Sequence, residues 1–290
     1  MSDKITIWGF RSNLIGDQIM TLPVLKLLEN RYPNSHKIWA VAEKVKQGKF
    51  LWENQELINE IVVSTDTEGQ IYSYNGVEFH QSTRQPFFDI QININPPVND
   101  PLWCDKICCV EQCVLMAGFT SEDYYSLSEQ DRKPHLTWNY PINKVFDKYI
   151  VIHTTAGYGQ GNRRAPSQEW WNEFRKQYED TKIVQIGHPN DSNLENVYDA
   201  RNLSLFEQFQ IILGASGGVF NDSGLAWAIG AIGTIPMVNL ITYHLGQHSK
   251  NPAALAPEHW NNDKIDLFHP NSCSDIPHED ILSAIKELTK

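Results

Sequence analysis

Three stretches of this sequence hold residues whose types and order could do chemistry. The first, Asn13-Leu14-Ile15-Gly16-Asp17-Gln18-Ile19-Met20-Thr21-Leu22-Pro23, follows directly on a strand-like run. Gly16 permits a tight turn, and Asp17 falls at the start of a helical pattern. A carboxylate there can cap the helix by satisfying orphan amides, or face a cleft as a general base. Position alone favours the cap. The second stretch, Phe220-Asn221-Asp222-Ser223-Gly224-Leu225-Ala226-Trp227-Ala228, runs from a strand through a tight turn into a helix of small residues. The free N–H groups and dipole of such a start make an anion site. Asp222 itself would repel phosphate and suits the hydroxyls of a sugar or ribose. An N-cap pair with no ligand accounts for the same residues equally well. The third, His153-Thr154-Thr155-Ala156-Gly157-Tyr158-Gly159-Gln160-Gly161-Asn162-Arg163-Arg164, ends a strand in hydroxyl residues and then sets three glycines before two arginines. Hydroxyls, bare amides and guanidinium groups suit a pyrophosphate. The stretch is neither a Walker A loop nor GxGxxG, and a solvated loop is the plain alternative.

Composition bounds what these stretches can serve. The chain has 290 residues, 41% hydrophobic and 20% charged, which is ordinary for a globular protein and long enough for two domains. Its net charge of -11 argues against a surface that grips nucleic acid throughout, although a local basic groove stays open. No run approaches the roughly 18 apolar residues of a membrane span. MSDKITIWGF enters a strand pattern at once, without signal-peptide features, so a cytoplasmic location is expected. Cys104, Cys108, Cys109 and Cys113 crowd one helical segment at spacings unlike a zinc ribbon, with Cys273 far away, and read as small buried hydrophobes. His244 and His248 lie four apart around Gly246 without a third ligand, which is weak evidence for metal.

The elements that must position these residues alternate short β-rich runs with helical ones, the mark of stacked βα units. Strands are expected at Lys4–Phe10, Lys37–Ala42, Glu60–Ser64 and Phe88–Asn93, with helices at Asp17–Arg31 and Trp103–Gly118. Residues 65–87 read as a hairpin or an irregular excursion. After a polar linker, Lys133–Asp147, the rhythm repeats. Strands are expected at Tyr149–His153, Lys182–Ile186, Gly218–Asn221 and Pro236–Leu240. Helices follow Ser167, the Ser204–Glu207 capping box and Ser223, and one closes the chain at Pro277–Lys290. Two doubly wound domains result, 1–138 and 139–290, with the last helix, 277–290, free to pack back on the first. Ligands of such sheets bind beyond the carboxyl ends of the strands, which adds Gly187, just past Lys182–Ile186, to the candidates.

Together the stretches resemble the heptosyltransferase-type glycosyltransferases, family nine, which have the GT-B fold. Gly16-Asp17-Gln18-Ile19-Met20-Thr21-Leu22-Pro23, followed by Tyr32-Pro33, is similar to the family's GD-x-x-x-T-x-P opening and later FP. Tyr149–Arg164 followed by Trp170 is similar to its strand, small-residue loop, basic residue and Trp. FNDSGLAWAIGAIGTIP, Phe220–Pro236, is similar to its ND-[ST]-G-x-x-H-x-A-A-x-G-x-P. The resemblance departs at Trp227, where the family has His, and at Asn239–His244, which replaces a Phe-Gly-Pro type turn.

The resemblance implies an α/β GT-B fold of two Rossmann-like domains around a cleft, acceptor-binding first and donor-binding second. It implies inverting transfer from a nucleotide-diphosphate sugar to a glycan or lipid-linked acceptor, such as a surface polysaccharide or lipopolysaccharide core, without an obligatory metal or other cofactor. Asp17 would be the base. Arg163 or Arg164 would neutralise the departing diphosphate, with Thr154, Thr155 and Gly187 beside them. Asp222, Ser223 and Gly224 would hold the donor's sugar and phosphates. The alternatives are transfer to a hydroxylated nucleic-acid base, a non-catalytic nucleotide-sugar-binding module, or an epimerase on the same fold. The run Lys44–Lys49 could meet an anionic acceptor, but reads more simply as a solvated surface.

Overall fold

The computed structural model describes residues 5–11, 14–94, 107–156, 164–178, 181–242 and 260–290. They form two compact units that divide between Asn139 and Tyr140, inside the irregular stretch that carries Pro134 and Pro141.

The first unit is built on a parallel sheet of four strands, β1 (Thr6–Arg11), β2 (His36–Val41), β3 (Glu60–Val63) and β6 (Ile90–Ile94), in the order β3-β2-β1-β6. The first helical segment, expected as one helix, is two: α1 (Ile15–Ile19) and α2 (Leu22–Arg31). Pro23 is the cause. It has no N–H to give the carbonyl of Ile19, so it is tolerated only in the first turn of a new helix. The Thr21 hydroxyl closes α1 by donating to the Gln18 carbonyl at 2.6 Å. Between β3 and β6 a hairpin of β4 (Ile71–Tyr74) and β5 (Val77–His80) covers the sheet. Its turn, Asn75-Gly76, has φ of 51° and 77°, the geometry that matches strand twist in a two-residue loop. Trp8 of β1 packs edge-on to Tyr72 and Phe79, both at 5.2 Å, and stacks on Phe88 at 4.8 Å. Among the described residues this half also holds the α-helices α3 (Cys109–Met116), α4 (Ser121–Ser126) and α5 (Glu129–Arg132). Gly118, just beyond the end of α3, takes a φ of 83°, as its place after a helix requires. Residues 103–106 of the segment expected as helix lie outside the described residues, as does Cys104.

The second unit is a six-stranded parallel sheet of β7 (Ile150–His153), β8 (Ile183–Ile186), β9 (Tyr198–Asp199), β10 (Gly217–Asn221), β11 (Met237–Ile241) and β12 (Lys264–Phe268). Its order, β12-β11-β10-β7-β8-β9, becomes 3-2-1-4-5-6 when counted from β7 and read from the β9 edge. That is the dinucleotide-binding order. Its α-helices among the described residues are α6 (Gln168–Gln177), α7 (Leu205–Ile212), α8 (Gly224–Ile232) and α9 (His278–Leu288). On one face Ile150, Ile152, Val219 and Leu240 pack with Trp171 and Phe174 of α6 and with Ile281 and Ile285 of α9. The last helix therefore buries its apolar face on the sheet of its own unit, where a return to the first domain was open. Ser167, Ser204 and Ser223 cap α6, α7 and α8 as their sequence context requires.

Candidate functional site

Each sheet reverses direction once. In the first, β1 lies between β2 and β6; in the second, β7 lies between β8 and β10. Crevices at such reversals, beyond the carboxyl ends of the strands, are where open α/β sheets bind ligands.

Asp17 stands at the first reversal, just past β1, as the third residue of α1. The cap of α1 is Leu14, whose side chain makes no capping bond, so the carboxylate is not the N-cap. It is partly exposed. Next to it Gln18 is fully buried, and among the described residues neither its amide nitrogen nor its oxygen has a hydrogen-bond partner. The run Glu43–Leu51 forms a 3₁₀ helix packed over α1, where a Cβ on Gly48 would meet Ile15 at 3.0 Å. Its lysines all have acidic neighbours: Lys44 with Glu68 at 3.9 Å, Lys46 with Glu43, and Lys49 with Glu53 at 3.4 Å.

The second reversal gathers more of the predicted residues. Arg164 donates through Nη2 to the Asp222 carboxylate at 2.6 Å and to the Asp222 carbonyl at 2.7 Å. The cation and the carboxylate expected to act separately thus form one pair. Arg164 is held in turn by the segment 272–276. The Cys273 thiol donates to the Arg164 carbonyl at 3.4 Å, and Ser274 Oγ accepts from the Ser167 amide at 2.9 Å. Burial, with the Asp222 carboxylate acting in the same sense, pushes the Cys273 thiol up to about 12, so it stays a donor. Arg164 Nε is buried and has no partner among the described residues.

Ser223 caps α8 by accepting from the Ala226 amide at 3.3 Å, and Gly224 is the first residue of that helix. Thr154 is engaged inside the protein: its hydroxyl donates to the Ser192 carbonyl and accepts from Gln185, both at 3.1 Å. Thr155 is half-buried beside it. Gly187 has a φ of 127°, and its N–H donates to Gln208 at 2.8 Å. Trp227, at the position of the family's His, is a core residue packed edge-on to Trp260 at 5.6 Å. Arg163, His244 and His248 lie outside the described residues. Among the described residues no three His, Cys, Asp or Glu side chains converge as a metal site would require. No helix among them is long and apolar enough to cross a membrane.

Two residues that the sequence reading passed over stand at the centre. His153 is buried, with Nδ1 3.4 Å from Ser223 Oγ and Nε2 3.9 Å from Asp191 Oδ2. Burial lowers its pKa to about 4, with Asp191 acting in the opposite sense, so the imidazole is neutral at pH 7. Its place at a strand's carboxyl end was the available signal. Nothing in the sequence marks Asp191, which comes from the turn after β8.

No protein-family model matches the chain, and no curated protein matches it significantly. Solved structures do. The chain is similar to a glycosyl transferase family 9 structure from Veillonella parvula, at 16% identity and TM-score 0.64, covering 99% of this chain and 97% of that one. It is similar to the E. coli ADP-heptose lps heptosyltransferase II, at 16% identity and TM-score 0.61, covering 99% and 98%. A third likeness is to E. coli heptosyltransferase WaaC with ADP, at 13% identity and TM-score 0.55, covering 98% and 97%. At such identities the likeness is one of fold. It bears out the expected α/β architecture of two Rossmann-like units.

Proposed function

We propose that the protein is a glycosyltransferase that moves a sugar from a nucleotide-diphosphate donor to an acceptor hydroxyl. One observation carries the reading: the reversal of the second sheet brings a helix start, a fixed cation and a carboxylate to one strand end, in Ser223, Arg164 and Asp222. A phosphorylated, hydroxyl-rich ligand meets both kinds of partner there. The likeness to structures of heptosyltransferases, one with ADP, supports the same class of donor.

In this reading Asp17 takes the proton of the acceptor hydroxyl as its oxygen attacks the anomeric carbon. The bond from that carbon to the diphosphate oxygen breaks, and its electron pair leaves with the diphosphate. Arg164, with Arg163 in the same basic pair of the sequence, offsets the charge that builds there. Attack opposite the leaving group inverts the anomeric centre. The acceptor is a glycan or lipid-linked sugar. Transfer to a nucleic-acid base gains nothing from the Lys44–Lys49 run, whose cations are matched by Glu43, Glu53 and Glu68.

The test is release of the nucleoside phosphate from ADP-, UDP-, GDP- and CMP-sugars with and without mixed glycan acceptors. Release that needs an acceptor and vanishes in Asp17→Asn supports transfer. Conversion of the donor's sugar without acceptor would replace it with epimerisation, and binding without turnover would leave a binding module.

A further inference from the structure

The second reversal holds a feature that the transfer reading does not use. Three side chains from three strand ends, His153 as the last residue of β7, Asp191 after β8 and Ser223 after β10, line up around one neutral imidazole. The loop that carries Asp191 is braced from several sides. Gln185 donates to the Ser192 carbonyl and accepts from the Leu194 amide at 2.8 Å. Arg201, itself paired with Asp199, donates to the Asp191 carbonyl and to Asn193 at 2.7 Å. Gln208 brackets Gly187 from both sides, accepting from its N–H at 2.8 Å and donating to its carbonyl at 3.0 Å. A Cβ on Gly187 would strike the Asp191 carboxylate and lie 3.0 Å from His153 Cδ2, so only glycine leaves room for that carboxylate beside the ring. The His188 amide donates to Asp191 Oδ2 at 2.7 Å and holds the carboxylate there.

This arrangement selects a tautomer. A neutral imidazole carries one N–H, and the ring nitrogen without it is an acceptor. Asp191 Oδ2 is an acceptor 3.9 Å from Nε2, a distance at which the effect is electrostatic and not a hydrogen bond. An Nε2 lone pair would face that negative charge, whereas an Nε2–H is drawn to it. The proton therefore sits on Nε2, which leaves Nδ1 to accept from the Ser223 hydroxyl at 3.4 Å. Ser223 already accepts from the Ala226 amide at 3.3 Å. With its proton committed to His153, Ser223 Oγ has one lone pair left and nothing to donate.

We propose that His153 is a positioning residue that fixes Ser223 Oγ as a hydrogen-bond acceptor, so that this hydroxyl reads ligand hydroxyls and not phosphate oxygens. Asp222 adds a second acceptor next in sequence, the carboxylate oxygen that Arg164 does not engage. Two adjacent acceptors suit vicinal hydroxyls, supplied by a ribose or by the transferred sugar. Phosphate then falls to Arg164 and to the free backbone amides at the start of α8. The inference rests on the nucleotide-sugar reading for its ligand, but the tautomer stands apart from that reading and is measured without any ligand.

The imidazole ¹⁵N spectrum of histidine-labelled protein, with the His153 signals identified by their loss in His153→Asn, should show Nε2 protonated and Nδ1 bare at pH 7. A protonated Nδ1 would overturn the proposal, because Ser223 could then donate. The second readout is affinity for the best-bound of ADP, UDP, GDP and CDP, its 2′-deoxy and 3′-deoxy forms, and the matching nucleotide sugar. His153→Gln, which reaches the Nε2 position and leaves Nδ1 empty, should weaken binding about tenfold. His153→Asn, with a polar atom where Nδ1 stands, should restore most of it. Ser223→Ala combined with His153→Gln should cost no more than either alone. A penalty that disappears in the deoxy nucleotides assigns the ribose, and one seen only with the nucleotide sugar assigns the transferred sugar. An equal penalty for every ligand, inorganic pyrophosphate included, or additive losses in the double variant, would contradict the proposal. If no nucleotide binds at all, the transfer reading fails, and the spectrum still decides the tautomer.

Discussion

The two sheet reversals are built to opposite standards. Beyond β7 the polar groups are braced against one another: Arg164 by Asp222 and Cys273, Gly187 by Gln208, Asp191 by its loop, Ser223 by α8. Beyond β1 stands the partly exposed carboxylate of Asp17, next to a fully buried Gln18 with no hydrogen-bond partner among the described residues. A buried amide left unpaired costs about 1–3 kcal/mol, and a bracketed one does not. The contrast teaches a division of labour. The second reversal is prearranged, as a donor site needs if it is to meet developing charge without reorganising. At the first, stability is given up next to the residue assigned to proton transfer.

The comparison can be broken in several places. The largest effect should come from Asp17→Asn, which is expected to lower kcat about a thousandfold while donor affinity stays unchanged, the range for loss of a general base. Steady-state kinetics with calorimetry on the same variant check both halves. Gly187→Ala should destabilise the second unit by about 3 kcal/mol, since it forces a side chain into a φ of 127° and against Asp191. Chemical denaturation measures it. Acid should act through His153. Its folded pKa, about 4, lies below the ordinary 6.5, so the unfolded chain binds the extra proton. Stability should fall as pH drops from about 6.5 to about 4, by on the order of 3 kcal/mol, and His153→Asn should flatten that slope. The smallest and sharpest test pairs two glutamines. Gln208→Leu should cost about 2 kcal/mol by orphaning the Gly187 amide and carbonyl, whereas Gln18→Leu should be neutral or stabilise by about 1 kcal/mol. Equal costs would erase the contrast between the two regions.

Much of the scaffold could be read in advance because its signals are local. The Ser204–Glu207 box, the Ser167 and Ser223 caps and Gly118 each report on a single helix end, and each helix ends or begins there. The compact β-branched runs became buried parallel strands for the same reason. What failed to show needed contacts distant in sequence. β12 is an edge strand with no buried residue, and Lys264 and Asp266 in its five positions make it read like a loop. The split between α1 and α2 was written in Pro23, but a continuous helical periodicity hides it. His153 and Asp191 are 38 positions apart in the sequence, and only the pairing of β7 with β8 brings them together. Thr154 shows the reverse case. As a hydroxyl at a strand end it reads as a ligand contact, yet Gln185 and Ser192 engage it from within. Arg164 and Asp222 were both legible as site residues. Their pairing was not, because 58 residues separate them.

The central claim, that the second reversal holds a nucleotide-sugar donor, is tested most directly by calorimetric titration with ADP-, UDP-, GDP- and CMP-linked sugars. The account predicts saturable binding of one of these donors, lost in Asp222→Ala and weakened about tenfold or more in Arg164→Ala. Heat of binding absent for all four up to millimolar concentration, or binding unaffected by both substitutions, would contradict it.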